Sequence, residues 1–114
     1  MINLNKSINN EIYLTCSIDT ELTDLSNNYQ LILTNEQDYN EYILNLLNIS
    51  TINRYDKFII TIDDIKSIPE GNYKYEIFND TYSDILLEIG KCDIISNQIK
   101  KTEIDNITIK KISL

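Results

Sequence analysis

The chain has 114 residues, of which 18 are acidic and 10 basic, and its formal net charge is −8. This length fits one domain with one hydrophobic core, so we interpret residues 1–114 as a single unit. Histidine is absent, which excludes Ser-His-Asp and Cys-His catalytic systems and histidine-ligated zinc. Isoleucine occurs 23 times and alanine not at all, so the composition favours β-sheet over helix.

The charge is unevenly distributed along the chain. Residues 1–99 carry 6 basic and 16 acidic side chains, whereas residues 100–114 carry 4 basic and 2 acidic ones. The basic side chains of this last segment are Lys100, Lys101, Lys110 and Lys111. An acidic body repels phosphate, which disfavours direct binding of nucleic acid. We predict that the four lysines contact a partner protein; the alternative is a solvated edge strand whose lysines discourage pairing.

The first part of the chain predicts an arm followed by two strands. Residues 1–10 are interpreted as a polar N-terminal arm, since they contain neither a basic start nor the long apolar stretch of a secretory signal. Residues 11–18 alternate apolar and polar side chains, which predicts a half-buried strand. Residues 29–34 repeat this alternation after a polar loop and predict the next strand.

Residues 41–49 allow two interpretations. Thr34 followed by Gln37 matches a helix capping box, and the apolar residues after it fit one face of a helix. Tyr42, Leu44 and Leu46 also alternate, and strands are predicted on both sides. We therefore predict a strand, with a helix as the alternative.

The remaining segments complete an all-β pattern. Those with strand alternation are residues 54–62, 72–78, 82–95 and 106–114. Pro69-Glu70-Gly71 predicts a turn in which glycine adopts positive φ, and Gly90 predicts a bulge or bend. About seven short strands at this spacing are typical of a single Greek-key, immunoglobulin-like β-sandwich, with a small β-barrel as the alternative. In this fold residues 100–114 would be a basic C-terminal strand.

The sequence offers little for catalysis or cofactor binding. Asp63 and Asp64 form an adjacent acidic pair, but neighbouring strand residues point to opposite faces and the spacing lacks the pattern of a calcium loop. Two glycines cannot build a phosphate-binding loop. Cys16 and Cys92 lack the spacing of a redox or metal motif, and we predict two reduced, buried thiols, with a disulfide between them as the alternative. We therefore predict no catalytic residue, no cofactor, no metal site and no enzymatic activity.

Tyrosine is the aromatic residue that dominates this chain. Those in predicted strands are Tyr13, Tyr29, Tyr42, Tyr55, Tyr73 and Tyr75. Tyrosines that face outward from a rigid sheet would suit a protein interface. The alternative is that their rings pack the core with the hydroxyl groups at its margin.

Four segments carry a resemblance to a known family. They are Tyr29-x-Leu31-x-Leu33-Thr34-Asn35, Arg54-Tyr55-Asp56-Lys57-Phe58-x-Ile60, Pro69-Glu70-Gly71-Asn72-Tyr73-Lys74-Tyr75-Glu76-Ile77 and Leu86-Leu87-Glu88-Ile89-Gly90-Lys91. Over residues 29–92 the chain resembles small virion proteins of Bacteroides-infecting tailed phages, the crAss-like group in particular. The resemblance implies an immunoglobulin-like sandwich that is a multicopy structural part of the particle, and it transfers no active-site residue.

The resemblance also implies partners and a location. The partners would be other virion proteins, either the major capsid protein or fibre and tail proteins, with no direct contact to nucleic acid or membrane. The expected role is a capsid auxiliary (decoration) protein or a head-fibre component, with a tail or connector component as the alternative. The expected location is the virion, after synthesis in the bacterial cytoplasm without a secretion signal. Functions of other classes remain open: an acidic intracellular inhibitor that mimics a nucleic-acid surface, and a carbohydrate-binding sandwich.

Overall fold

The computed structural model of the chain describes residues 1–18, 20–51 and 54–96, and this part is all-β. The strands are β1 (Ile2–Asn5), β2 (Asn10–Leu14), β3 (Asn28–Asn35), β4 (Glu41–Leu47), β5 (Asp56–Ile60), β6 (Gly71–Asn79) and β7 (Glu88–Ile95). One short helix, α1 (Ile62–Ile65), lies between β5 and β6. The predicted all-β class is confirmed, and the strand prediction for residues 41–49 is confirmed by β4.

The strands form two sheets with the connectivity of an immunoglobulin-like Greek key. The larger sheet has the order β1-β7-β6-β3-β4, and the smaller one pairs β2 with β5. β1 runs parallel to β7, and every other pairing in the two sheets is antiparallel. The chain leaves the smaller sheet after β2, builds the hairpin β3–β4 in the larger sheet, and returns to the smaller sheet at β5. This exchange between sheets is typical of the immunoglobulin-like sandwich.

The inward-facing side chains of both sheets form one core. Leu31, Leu33 and Ile77 of the larger sheet and Phe58 of the smaller sheet are completely buried. The rings of Tyr29 and Phe58 meet edge to face, with centroids 5.3 Å apart, and thereby join the two sheets. Each of these residues occupies an inward position of the period-two alternation, so the alternation produces the core directly.

The predicted positive φ at Gly71 is confirmed, and a bend at Glu70 leads into β6. Gly71 has φ +152°, a conformation that favours glycine. Two residues later the buried Tyr73 donates a hydrogen bond from its hydroxyl group to the main-chain oxygen of Pro69, at 2.7 Å. A tyrosine near the start of this strand that bonds back to the preceding main chain is the tyrosine corner of immunoglobulin-like sandwiches.

The N-terminal part departs from two predictions. Residues 1–10 are not a polar arm throughout, because Ile2 and Leu4 are buried in strand β1. The error arose because a four-residue strand contains only two apolar positions. The strand predicted at residues 11–18 ends at Leu14, and a turn follows it.

The C-terminal half departs from the predictions in two further places. Residues 82–95, predicted as one long strand or two, form a strand only from Glu88 onward, and Gly90 pairs regularly with Tyr75 and forms no bulge. The connection after β5 contains helix α1, which begins with Thr61 as its N-terminal cap. The predicted strand at residues 106–114 lies outside the described residues.

Candidate interaction surfaces

A buried carboxylate at the start of β5 is the most polar feature of the core. Asp56 is 1% exposed and occupies an inward position between the sheets. Its Oδ2 accepts hydrogen bonds from the main-chain N–H of Ser17 at 2.8 Å and from the thiol of Cys16 at 3.3 Å. Its Oδ1 accepts from the amide of Asn48 at 2.9 Å and from the hydroxyl of Ser17. The carboxylate therefore ties the loop after β2 to the loop after β4.

The hydrogen bonds around Asp56 hold the two loops together and leave the carboxylate no free acceptor position. Each oxygen of Asp56 already accepts two hydrogen bonds, which satisfies the capacity of a carboxylate. Burial, followed by the charge and hydrogen bond of Asp56, raises the pKa of the Cys16 thiol, so the nucleophilic thiolate is disfavoured. A polar pocket of about 350 Å³ beside the cluster is lined by residues of the same two loops.

The other predicted candidates for chemistry also have structural environments. Burial and the nearby Asp93 raise the pKa of Cys92 to about 12, and both cysteines are buried and free, which confirms the predicted buried thiols. Asp64 accepts a hydrogen bond from the main-chain N–H of Thr61 and completes the capping box of α1. Within residues 1–18, 20–51 and 54–96, no group of three or more acidic or cysteine side chains is arranged to hold a metal ion.

The outward face of the larger sheet, which we call the outer sheet face, carries a mainly apolar row of three isoleucines that is interrupted by one glutamate. Cross-strand pairing aligns Ile43 of β4, Ile32 of β3, Glu76 of β6 and Ile89 of β7 in one row. Ile43 is 57% exposed and Ile89 is 54% exposed, and Leu47 of β4 is 54% exposed on the same face. Exposed apolar side chains are common over this surface, but those that lie together on one sheet face suit a protein contact better than those that are scattered singly.

A charged row lies beside the apolar row on the outer sheet face. Glu41, Thr34, Lys74 and Lys91 are aligned by the same cross-strand pairing. Lys91 forms an ion pair with Glu36 in the hairpin between β3 and β4. The face thus combines exposed isoleucines with charges of both signs, and one of these charges, Glu76, lies within the row of isoleucines.

A second candidate surface lies between strand β1 of the larger sheet and strand β2 of the smaller sheet. A groove of about 250 Å³ runs between β1 and β2 and is lined by residues of Met1–Asn3 and Glu11–Leu14. Tyr13 is 51% exposed beside it and contacts the ring of Tyr55 edge to face, with centroids 5.1 Å apart. The Nζ atom of Lys57 lies 5.8 Å from the centroid of the Tyr13 ring.

The predicted tyrosines divide between the two alternatives. Tyr29, Tyr73 and Tyr75 are buried in the core, whereas Tyr13 faces outward. The predicted partner-contact residues Lys100, Lys101, Lys110 and Lys111 lie outside the described residues. Sequence reasoning did not identify the outer sheet face. The outward positions of Ile43 and Ile89 follow from the alternation, but their alignment depends on strand order and register.

No helix in the part of the chain that the structure describes is long and apolar enough to span a membrane. No protein-family model matches the chain, and neither the curated proteins nor the solved structures contain a match.

Proposed function

We propose that the chain is a non-enzymatic structural protein of a phage particle that attaches to other virion proteins through the outer sheet face. The observation that carries this proposal is the exposed apolar row, in which Ile43 and Ile89 are each more than half exposed. A rigid sheet that presents such a row pays little conformational entropy on binding. The resemblance of residues 29–92 to small virion proteins supplies the class of partner.

The environment of the polar residues agrees with a binding role. Asp56 is saturated with hydrogen bonds and Asp64 caps a helix, so neither carboxylate is available as an acid or base. The charges on the outer sheet face include Lys74 and Lys91 as well as Glu41. Mixed charge of this kind fits a protein partner better than mimicry of a uniformly anionic nucleic acid.

The proposal is tested by the composition of purified particles and by one surface substitution. Mass spectrometry of the particles should detect the chain, and the tagged full chain should capture capsid, fibre or tail proteins from infected cells. Burial of one isoleucine contributes about 1.5–3 kcal/mol, so Ile43→Lys should weaken this capture about 10- to 150-fold.

A matched control separates loss of the surface from loss of the fold. Ile59→Lys places the same charge on an exposed isoleucine, 42% accessible, of the smaller sheet. This control should bind as the unmodified chain does. Absence of the chain from particles, capture of a nuclease or polymerase in place of virion proteins, or equal loss with both variants would each refute the proposal.

A further inference from the structure

A pocket lies at the end of the larger sheet, where a hairpin loop joins β3 to β4. Its volume is about 280 Å³, and it is lined by Thr34, Asn35, Glu36 and Tyr39 of the hairpin and by Lys74 of β6. Thr34 and Lys74 are cross-strand neighbours, so the pocket includes both the loop and the adjoining sheet. Pockets for small molecules usually occupy about 300–1,000 Å³, so this one suits a ligand of about one ring.

Tyr39 adopts a conformation that is unusual for tyrosine. Its φ is +62°, in the left-handed region, which strains the backbone of a bulky residue. Glycine would adopt this φ without strain and is common at such positions of hairpin loops. Tyr39 is also 76% exposed, so packing of its ring offsets little of the strain. Stability therefore does not account for a tyrosine at this position, whereas contact of its ring with a ligand would.

The hydrogen bonds of Asn35 hold the loop in this conformation. Its Oδ1 accepts from the main-chain N–H groups of Gln37 at 2.8 Å and Asp38 at 3.3 Å. Its main-chain oxygen accepts from the N–H of Tyr39 at 3.0 Å, and its own N–H donates to the main-chain oxygen of Asn40 at 2.9 Å. Because the loop is fixed before a ligand arrives, binding to Tyr39 would lose little conformational entropy.

The polar side chains of the pocket supply both hydrogen-bond donors and acceptors. In the described part of the chain, no hydrogen bond or ion pair occupies the Nζ of Lys74 or the hydroxyl of Thr34. Glu36 accepts from Lys91 through Oε2, and its Oε1 accepts from none of the described residues. An ammonium donor, a carboxylate acceptor and a hydroxyl that can do both therefore surround the pocket.

The charges around the pocket favour a neutral ligand. The hairpin loop and the charged row together contain Glu36, Asp38, Glu41, Lys74 and Lys91. Three carboxylates against two lysines do not attract a phosphate or carboxylate group. A neutral ring with several hydroxyl groups fits better, because each hydroxyl can donate to a carboxylate or accept from an ammonium group. A pyranose sugar has such hydroxyls, and its apolar ring face can pack on an aromatic side chain.

We propose that this pocket binds one neutral sugar residue of a glycan. The ring of Tyr39 packs on the face of the sugar, and Lys74 and Glu36 form hydrogen bonds with its hydroxyl groups. The inference goes beyond the proposed function, which concerns attachment to other virion proteins. None of the residues that line the pocket belongs to the row of isoleucines on the outer sheet face, so the two proposals are tested separately.

The first test determines which class of ligand binds to the full chain. The chain, labelled with nitrogen-15, is titrated with the methyl glycosides of glucose, mannose, galactose and N-acetylglucosamine. At least one of these should shift the amide signals of Tyr39 and Lys74. Glucuronic acid and inorganic phosphate, added in the same way, should bind more weakly than that glycoside, because the pocket has no excess of positive charge.

The second test separates the ring of Tyr39 from the fold. Tyr39→Gly removes the ring and relieves the positive φ, so the variant should be at least as resistant to urea as the unmodified chain. Its dissociation constant for the glycoside should nevertheless rise at least about tenfold. Tyr39→Phe keeps the ring and should bind within about threefold of the unmodified chain. Tyr13→Ala is the matched control, because it removes an exposed tyrosine of the smaller sheet and should not change binding.

Several outcomes would overturn the inference. Failure of all four glycosides to bind would do so, as would tighter binding of glucuronic acid or phosphate. Equal binding by Tyr39→Gly and the unmodified chain would show that the ring does not contact the sugar. Loss of virion-protein capture in Tyr39→Gly would assign the ring to a protein contact instead. Ile43→Lys should leave glycoside binding unchanged, and if glycoside binding fails while capture persists, the proposed function stands without this inference.

Discussion

Substitution of Asp56 by asparagine tests whether the buried carboxylate stabilises the fold. Asp56→Asn preserves the shape of the side chain and replaces one acceptor oxygen by an NH₂ donor. If the NH₂ group takes the place of Oδ2, it faces the main-chain N–H of Ser17, which lies 2.8 Å from that oxygen. If it takes the place of Oδ1, it faces the amide of Asn48, which lies 2.9 Å from that one. Both orientations therefore bring two donors together.

The neighbouring amide cannot turn over to relieve this conflict. Asn48 Oδ1 already accepts hydrogen bonds from the main-chain N–H of Ser50 at 3.0 Å and of Lys57 at 3.1 Å. Rotation of the Asn48 amide would restore the hydrogen bond to residue 56 and would break the two that Oδ1 accepts from Ser50 and Lys57. The substitution therefore leaves at least one buried N–H group without an acceptor. A hydrogen bond to a charged group contributes about 1.5–3 kcal/mol, and the N–H group left without an acceptor adds part of its own desolvation penalty, so we expect a loss of about 2–4 kcal/mol.

Urea unfolding followed by far-ultraviolet circular dichroism measures this loss directly. A decrease of 2–4 kcal/mol should lower the urea midpoint by about 1–3 M without changing the slope. Asp84→Asn is the matched control, because Asp84 is exposed in the loop before β7, and its effect should stay within about 0.5 kcal/mol. An Asp56→Asn variant as stable as this control would refute the assignment of Asp56 as a structural acceptor.

Three further predictions concern the core and the two buried cysteines. Gly90→Ala should destabilise the protein by about 1–3 kcal/mol in urea unfolding, because an added Cβ would lie 2.7 Å from Cε2 of the buried Tyr75 ring. Tyr73→Phe removes the tyrosine-corner hydrogen bond and should cost about 1 kcal/mol in the same assay, with unchanged circular dichroism. Burial raises the pKa of Cys16 and Cys92 above the ordinary value of 9.0, so their contribution to stability is complete below pH 9 and is lost as the pH rises above it. Above pH 9, ionisation of each thiol should lower the free energy of unfolding by about 1.4 kcal/mol per pH unit. The urea midpoint should therefore be lower at pH 10 than at pH 8, and substitution of both cysteines by serine should reduce this difference.

The strands with long, clean alternation could be predicted from the sequence. In residues 29–34 and 72–78 every second side chain is apolar or aromatic, and the structure buries those positions in β3 and β6. Period-two alternation is a local property, so it predicts strands without knowledge of their partners. Pro69-Glu70-Gly71 was equally local, since proline and glycine restrict the backbone by themselves.

The features that the sequence did not predict depend on distant partners. β1 forms because β7, about 90 positions later in the chain, offers it a parallel edge, and four residues carry too little pattern to signal this. Gly90 was predicted to interrupt a strand, whereas it pairs regularly and provides space for the ring of Tyr75. In both cases tertiary contacts decide the outcome, and an alternation pattern contains no information about them.

The same distinction explains why the surfaces were less predictable than the core. Alternation assigns Ile43 and Ile89 to outward positions, but only the strand order brings them into one row across the larger sheet. An inward residue needs only some core to pack against, whereas an interface requires particular neighbours. The proposed binding through the outer sheet face therefore depends on strand register more directly than on composition.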